Sequence, residues 1–283
     1  MALPAYASTG ERIWHYTYLV ICALIFIFLI APILTIIPLS FNAEPYFTFT
    51  SKMLHLDPTA YSLRWYHDLF TSEEWLSSIR NSFFIAISAT IISTTLGTVA
   101  AIGLSRREMP ARGLITAILI SPMVVPLIVT GAGLFSFYAR LNLTNTFFSI
   151  IMSHVVLGTP FVIITVTAAM SGFDQSLIRA AQNLGANQTT TFFKVILPLL
   201  LPGVISGALF AFMTSLDEVV VVIFLAGPAQ TPMTVRMFSG LRENISPTIL
   251  AIATILVLIS VVLLTSLEML RRRSERMRGM TPG

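Results

Sequence analysis

The sequence predicts an all-α membrane protein of six transmembrane helices, and three observations predict it. Only 11% of the 283 residues are charged, under half of the roughly 25% typical of soluble domains. Mean hydropathy is +0.83. The apolar residues, 55% of the chain, gather in charge-poor blocks near or above the ~20 residues that cross about 30 Å of hydrocarbon. A cytosolic enzyme built around a soluble core is excluded.

The elements follow in order. From Ile13 to Ala43 no formal charge occurs, a run longer than the ~7 to 15 apolar residues of a secretion signal. A retained helix is expected over Tyr16 to Leu39, after a cytoplasmic segment 1–15. Residues 41–80 hold Glu44, Asp57, Asp68, Glu73, Glu74 and several aromatic residues. They are too polar for lipid and form a long loop outside it. Further helices are expected over Asn81 to Leu104, Leu114 to Tyr138, Asn145 to Met170, Leu199 to Leu225 and Pro247 to Leu270.

Pro32 and Pro38 fall in the first helix, Pro122 and Pro126 in the third, Pro160 in the fourth and Pro202 in the fifth. Each removes a backbone donor, and in a bilayer the freed carbonyl must find another partner. Bent helices and cavities between them are therefore expected. Gly97, Gly103, Gly131, Gly133, Gly203 and Gly207 permit close helix approach.

Lysine and arginine near helix ends are retained on the cytoplasmic side. Alternate connections carry eleven and six of the 17 basic residues, the larger set being Arg12, Arg106, Arg107, Arg112, Arg179, Lys194 and five arginines from Arg271 to Arg278. Both termini should face the cytoplasm. The basic tail 271–283 then meets anionic headgroups, at ~1 kcal/mol per charge.

The chemistry of an enzyme is missing. Cys22 is the single cysteine, so an internal disulfide, a cysteine metal cluster and a redox pair are excluded. The two lysines, Lys52 and Lys194, stand after Ser51 and Phe193, so no phosphate-cradling Gly-Lys-Ser/Thr loop exists. His-Glu-x-x-His and Gly-x-Ser-x-Gly are absent as well. No catalytic residue, no metal and no cofactor bound by this chain is expected, and no nucleic-acid partner. If ATP drives transport, another chain hydrolyses it.

Asp217 and Glu218 fall inside the fifth apolar block. At mid-membrane they cost about 5 to 7 kcal/mol together, and its sixteen or so Leu, Ile, Phe and Val residues return roughly 5 to 10. That margin directs the carboxylates toward water or a partner. Successive residues diverge by about 100° on a helix, so one of the two faces a central pathway. Asp217 is assigned there and Glu218 to a neighbouring or supporting contact. An acidic lining attracts a cationic solute. His154 in helix four stands at a similar depth, either as a satisfied buried polar group or in contact with Asp217 or the solute.

The connection 171–198 between helices four and five is the most informative segment. Leu177, Ala180, Ala181 and Leu184 recur at spacings of three and four within Gln175 to Leu184, one apolar face of a short helix. Gly185 stands where helices commonly stop. Such a helix is built to dock.

These residues resemble the signature loop of the membrane subunits of binding-protein-dependent ABC importers. That pattern is Glu-Ala-Ala, three residues, Gly, nine residues, then Ile-x-Leu-Pro. The chain has Arg179-Ala180-Ala181, Gly185 and Val195-Ile196-Leu197-Pro198 at matching spacings. Arg179 replaces the usual glutamate and reverses a charge, and Val195 replaces isoleucine. Ser215-Leu216-Asp217-Glu218-Val219-Val220, with Phe224 to Pro228 and Thr231-Pro232-Met233, is similar to the corresponding region of spermidine/putrescine type permeases. Ser121 to Pro126 has the same character.

The resemblance implies a bacterial inner-membrane permease subunit whose coupling helix (Leu177, Arg179, Ala180, Ala181, Leu184, Gly185, with Pro198 closing the motif) enters a groove of an ATPase. It also implies a second, similar permease subunit, two ATPase subunits that bind ATP and Mg, and an extracytoplasmic binding protein touching the 41–80 loop. The cargo implied is a polyamine, with other small amines and aminophosphonates as alternatives. Two rival readings stand beside it. One is a self-sufficient secondary transporter or channel with Asp217, Glu218 and His154 as a proton relay, which the lack of an inverted repeat opposes. The other is an intramembrane aspartyl hydrolase, which needs a second intramembrane aspartate.

Overall fold

The computed structural model of the chain describes residues 8–106, 108–174, 176–243 and 246–277. Arg107, Gln175, residues 1–7 and residues 278–283 of the expected basic tail lie outside them. The described residues are helical but for loops and one isolated antiparallel bridge between Asn42 and Tyr61. Five helices are long and apolar enough to span a bilayer, and a sixth span arises when a pair of helices bent by 98° is taken as one. The described residues fall into two compact units, one within Met1–Thr71 and Asn244–Ile259, the other within Ser72–Glu243 and Ser260–Gly283.

In the first unit, α1 (Thr9–Leu39) starts earlier than expected because Ser8 and Glu11 close a capping box: the Glu11 N–H donates to Ser8 Oγ and the Ser8 N–H to Glu11 Oε2. None of its residues is buried, which suits a helix surrounded by hydrocarbon. The segment after it is folded, with α2 (Ser51–Leu54) and α3 (Arg64–Thr71). Its hub is Asn42, fully buried. The Asn42 amide donates to the carbonyls of Tyr46 and Thr48, its Oδ1 accepts the Glu44 N–H, and its backbone carbonyl accepts the Trp65 indole N–H at 2.7 Å. Trp65 and Leu69 supply the apolar face that buries α3.

The second unit is built on α4 (Glu73–Leu104), longer at its start than the expected span. The third expected helix is broken into α5 (Arg112–Ile120) and α6 (Leu127–Arg140). The break lies at the two prolines: Ser121 O accepts the N–H groups of Val124 and Val125, and Pro126 O accepts those of Val129 and Thr130. The bend expected from the two prolines is present, and it divides the Leu114 to Tyr138 span into two helices at 98°. α7 (Phe147–Ser171) matches expectation and carries Pro160 without breaking.

After α7 come α8 (Ser176–Asn183), α9 (Gln188–Thr191) and α10 (Leu197–Asp217). A π turn, Phe192–Ile196, joins the last two directly ahead of Pro198, and Gln188–Asp217 forms one 30-residue helical run. Leu199 to Leu225 is therefore corrected at both ends. The run begins at the Asn187 cap, whose Oδ1 accepts the Thr190 N–H at 2.8 Å, and ends at Asp217, because Glu218 adopts an extended backbone. Beyond it lie α11 (Val220–Leu225) and α12 (Met233–Glu243). α13 (Thr248–Met277) runs past the expected Leu270 into the basic residues, where Arg272 Nε donates to Glu268 Oε1 at 2.7 Å.

The core of the second unit is the α4–α7–α10 triad, with Ala101, Val162, Val166, Leu200 and Ala211 buried together. Close approach depends on glycine. A Cβ at Gly207 would lie 2.5 Å from Thr165 Oγ1 and 2.8 Å from Val162 Cα, whereas a Cβ at Gly133 meets nothing within 4 Å. Gly207→Ala should therefore cost about 1 to 3 kcal/mol by overpacking and lower the melting temperature in detergent, while Gly133→Ala leaves it unchanged. Equal melting temperatures would show that the seam can relax.

Candidate functional site

Two regions carry the chemistry, at opposite ends of the 188–217 helical run. At its start, α8 is strongly amphipathic and buries none of its residues. Asp174 opens it: Oδ1 accepts the Ser176 N–H at 2.8 Å and Oδ2 the Ser176 hydroxyl at 2.6 Å. The hydroxyl, then the N–H, hold the Asp174 carboxyl below its ordinary range. Gly185 ends α8 at φ +84°, where a side chain is strained. Its N–H donates to Gln182 O and the Ala186 N–H to Ala181 O, the paired bonds of a glycine C-terminal motif. Arg179 and Ala180 are exposed, as are Leu177 at 43% and Leu184 at 89%. The apolar face of this short helix is open.

At the other end, the run stops between the two carboxylates. Asp217 is exposed and forms no hydrogen bond or ion pair among the described residues. Glu218 is 7% exposed. Its Oε1 accepts the Val221 N–H at 2.8 Å and so caps α11, and its backbone carbonyl accepts the Thr234 hydroxyl. The depth expected for this pair in an unbroken helix no longer follows, because the helix ends where they stand. Their environments diverge through the break.

His154 is buried on α7, and its Nδ1 lies 2.6 Å from Ser215 Oγ on α10. The structure brings it beside the last turn before Asp217, with Ser215 as its polar contact. Its Nε2, with the Thr90, Thr94 and Thr98 hydroxyls of α4, is buried without a hydrogen-bond partner among the described residues. The three threonines recur every four residues, so they share one face. α11 packs on α6 where Gly131 approaches Phe224, and Val221, Val222 and Leu225 join Tyr138 and Ile150 in a second cluster.

Sequence reasoning missed the clamp that holds the chain after the break. Asn81 Nδ2 donates to the carbonyls of Ala229 and Thr231, Ser82 Oγ accepts the Met233 N–H, and Arg236 donates to Ser78 Oγ and pairs with Glu74. Glu74, Ser78, Asn81 and Ser82 stand at i, i+4, i+7 and i+8, the one signal that marked a polar face on α4. Ser215 was also unassigned, although it lies in the quoted Ser-Leu-Asp-Glu string.

Residues 93–276 match the family described as binding-protein-dependent transport system inner membrane component. The chain is 30% identical over 251 residues to the spermidine/putrescine transport system permease protein PotC of Haemophilus influenzae, covering 89% of this chain and 95% of that one. It is 32% identical over 246 residues to the putrescine transport system permease protein PotI of Escherichia coli K12, covering 84% of each. In fold it is similar to a chain of a bacterial ABC transporter involved in the import of the acidic polysaccharide alginate, with TM-score 0.68 and 18% identity over 93% of this chain and 98% of that one. With its apolar spans and a family match over most of its length, the chain belongs to the inner-membrane permease components of binding-protein-dependent ABC importers.

Proposed function

We propose that this permease admits a small organic cation of the polyamine class, and that Asp217 lines its path. The observation that carries the reading is the exposed, unpaired Asp217 carboxylate at a break in a membrane helix. A carboxylate so placed attracts an ammonium group, and because it stands without a second exposed carboxylate beside it, the cation is held weakly enough to leave. Glu218 is turned inward as a cap and keeps the opening in place. The names of the two relatives, one for spermidine and putrescine and one for putrescine, support the cargo class. A self-sufficient proton-relay transporter or a hydrolase has no support in the family.

In this reading α8 is the coupling helix. Leu177, Ala180, Ala181 and Leu184 form its docking face, Arg179 borders it, Gly185 fixes where it ends, and Pro198 closes the motif just after the π turn of the next helical run. Two partner ATPase subunits bind ATP and Mg, a second permease subunit completes the pathway, and an extracytoplasmic receptor delivers cargo near residues 41–80. ATP binding draws the coupling helices together and turns the cavity outward, and hydrolysis resets it.

In liposomes holding the assembled importer, Asp217→Asn should abolish uptake of labelled putrescine and spermidine while the complex still co-purifies. Wild-type uptake in that variant removes Asp217 from the path. Gly185→Val forces a β-branched side chain into a left-handed conformation, at a cost of roughly 1 to 2 kcal/mol, and should release the ATPase on co-purification. Undiminished ATPase retention would end the coupling role of α8.

A further inference from the structure

The seam between α7 and α10 is drawn close by small groups, beside the buried Val162, Val166 and Leu200 side chains and the stacked Phe161 and Phe210 rings. Gly158 faces Ala211, Gly207 faces Val162 and Thr165, and Gly203 faces Ala169. Contacts of this kind set how close two helices lie, but they are non-directional. The glycine contacts end at Ala211, one turn before Ser215, and leave the rotation of the last turn of α10 to something else.

A directional contact stands at the end of that seam. Ser215, in the last turn of α10, meets His154 Nδ1 at 2.6 Å, and both residues are buried. A neutral imidazole has one donor and one acceptor, and Nε2 has no partner among the described residues. Ser215 is therefore the polar tie of this ring, an expensive group to keep at an apolar helix interface without one. Ser215 and Asp217 are two residues apart, about 200° around the helix and 3 Å along it. Holding Ser215 against α7 turns Asp217 to nearly the opposite side, and Asp217 is indeed exposed while Ser215 is buried. Beyond the break, the Glu218 carboxylate and the Thr234 hydroxyl hold the chain from the other direction.

We infer that His154 is a positioning residue: through Ser215 it fixes the rotation of the last turn of α10 and so aims the Asp217 carboxylate. His154 does not touch cargo in this scheme. The consequence for transport rests on the assignment of Asp217 to the path, but the geometric claim does not.

The test uses the chain purified with its partner subunits. Cys22 is the single natural cysteine, so Cys22→Ser with Asp217→Cys gives one nitroxide attachment site. With His154 intact the label should show an ordered spectrum. His154→Leu and Ser215→Ala should each mobilise it, the two together no more than either alone, and His154→Asn, whose side-chain amide can occupy the Nδ1 position, should restore order. In liposomes with Asp217 present, His154→Leu and Ser215→Ala should each slow putrescine uptake about tenfold, the equivalent of one hydrogen bond, with His154→Asn near wild type. Should His154→Leu fail to assemble, Ser215→Ala, which removes a single atom, carries the test alone. An unchanged spectrum in Ser215→Ala, or no recovery with His154→Asn, overturns the inference. Wild-type uptake in Asp217→Asn would instead refute the path assignment, while the spectra would still decide whether His154 orients position 217.

Discussion

Inside a bilayer no water is available to an unpaired backbone group, so every interruption of a helix must bring its own partners. The fold is organised by that constraint. At the first interruption, the Ser121 and Pro126 carbonyls gather the N–H groups of the two residues or turns that follow. At the second, a side chain does the work: the Glu218 carboxylate takes the Val221 N–H that the broken helix leaves free. Outside the apolar spans the same demand is met more simply: after α8, Gly185 lets the chain reverse so that two late carbonyls are satisfied in one motif. Each break is also where a chemically distinct residue is exposed.

The two broken spans are not independent. α6, beyond the first break, packs on α11, beyond the second, with Gly131 against Phe224 and Asn145 N donating to Leu225 O at 3.0 Å. The polar clamp on α4 secures the segment that follows α11. Contacts therefore run without a gap from α6 to α11, and through the Glu218 cap to the end of α10. The α4–α7–α10 triad supplies the fixed frame against which any shift along them is measured, since its glycine seam leaves little room for compression.

Most of this was legible in the sequence, and what was not has physical reasons. The apolar blocks, the bend at Ser121 to Pro126 and the stop at Gly185 announce themselves through hydropathy, proline and glycine. The stop at Asp217 does not: Glu218 is followed by four valines and an isoleucine, which hydropathy counts as uninterrupted membrane helix. What ends the helix is tertiary, a buried carboxylate capping the next turn and a hydroxyl from α12. The start at Gln188 was hidden differently. Gln188 to Thr191 is polar, so a hydropathy window opens only at Leu199, although Asn187 is a good N-cap residue. The role of Ser215 requires knowing that α7 and α10 are neighbours, which no local pattern encodes.

The geometry between the two functional ends bears on how work would travel. From Gln188 to Asp217 the chain is one helical run of about 45 Å at 1.5 Å per residue, with α8 just before its start and the exposed carboxylate at its finish. A packed helix moves as a unit, so under the proposed coupling role a displacement of α8 would pass two joints on its way to Asp217, the reversal at Gly185 ahead of the Asn187 cap and the π turn Phe192–Ile196. That turn lies outside the glycine seam, on the α8 side of it. Bending there would let α8 swing without rotating the far end, whereas a stiff turn would carry the motion to the last turn of α10, where Ser215 resists rotation and Asp217 reports it. Pro198, which has no N–H to give to the preceding turn, stands just after that π turn, at the point where the two responses would divide.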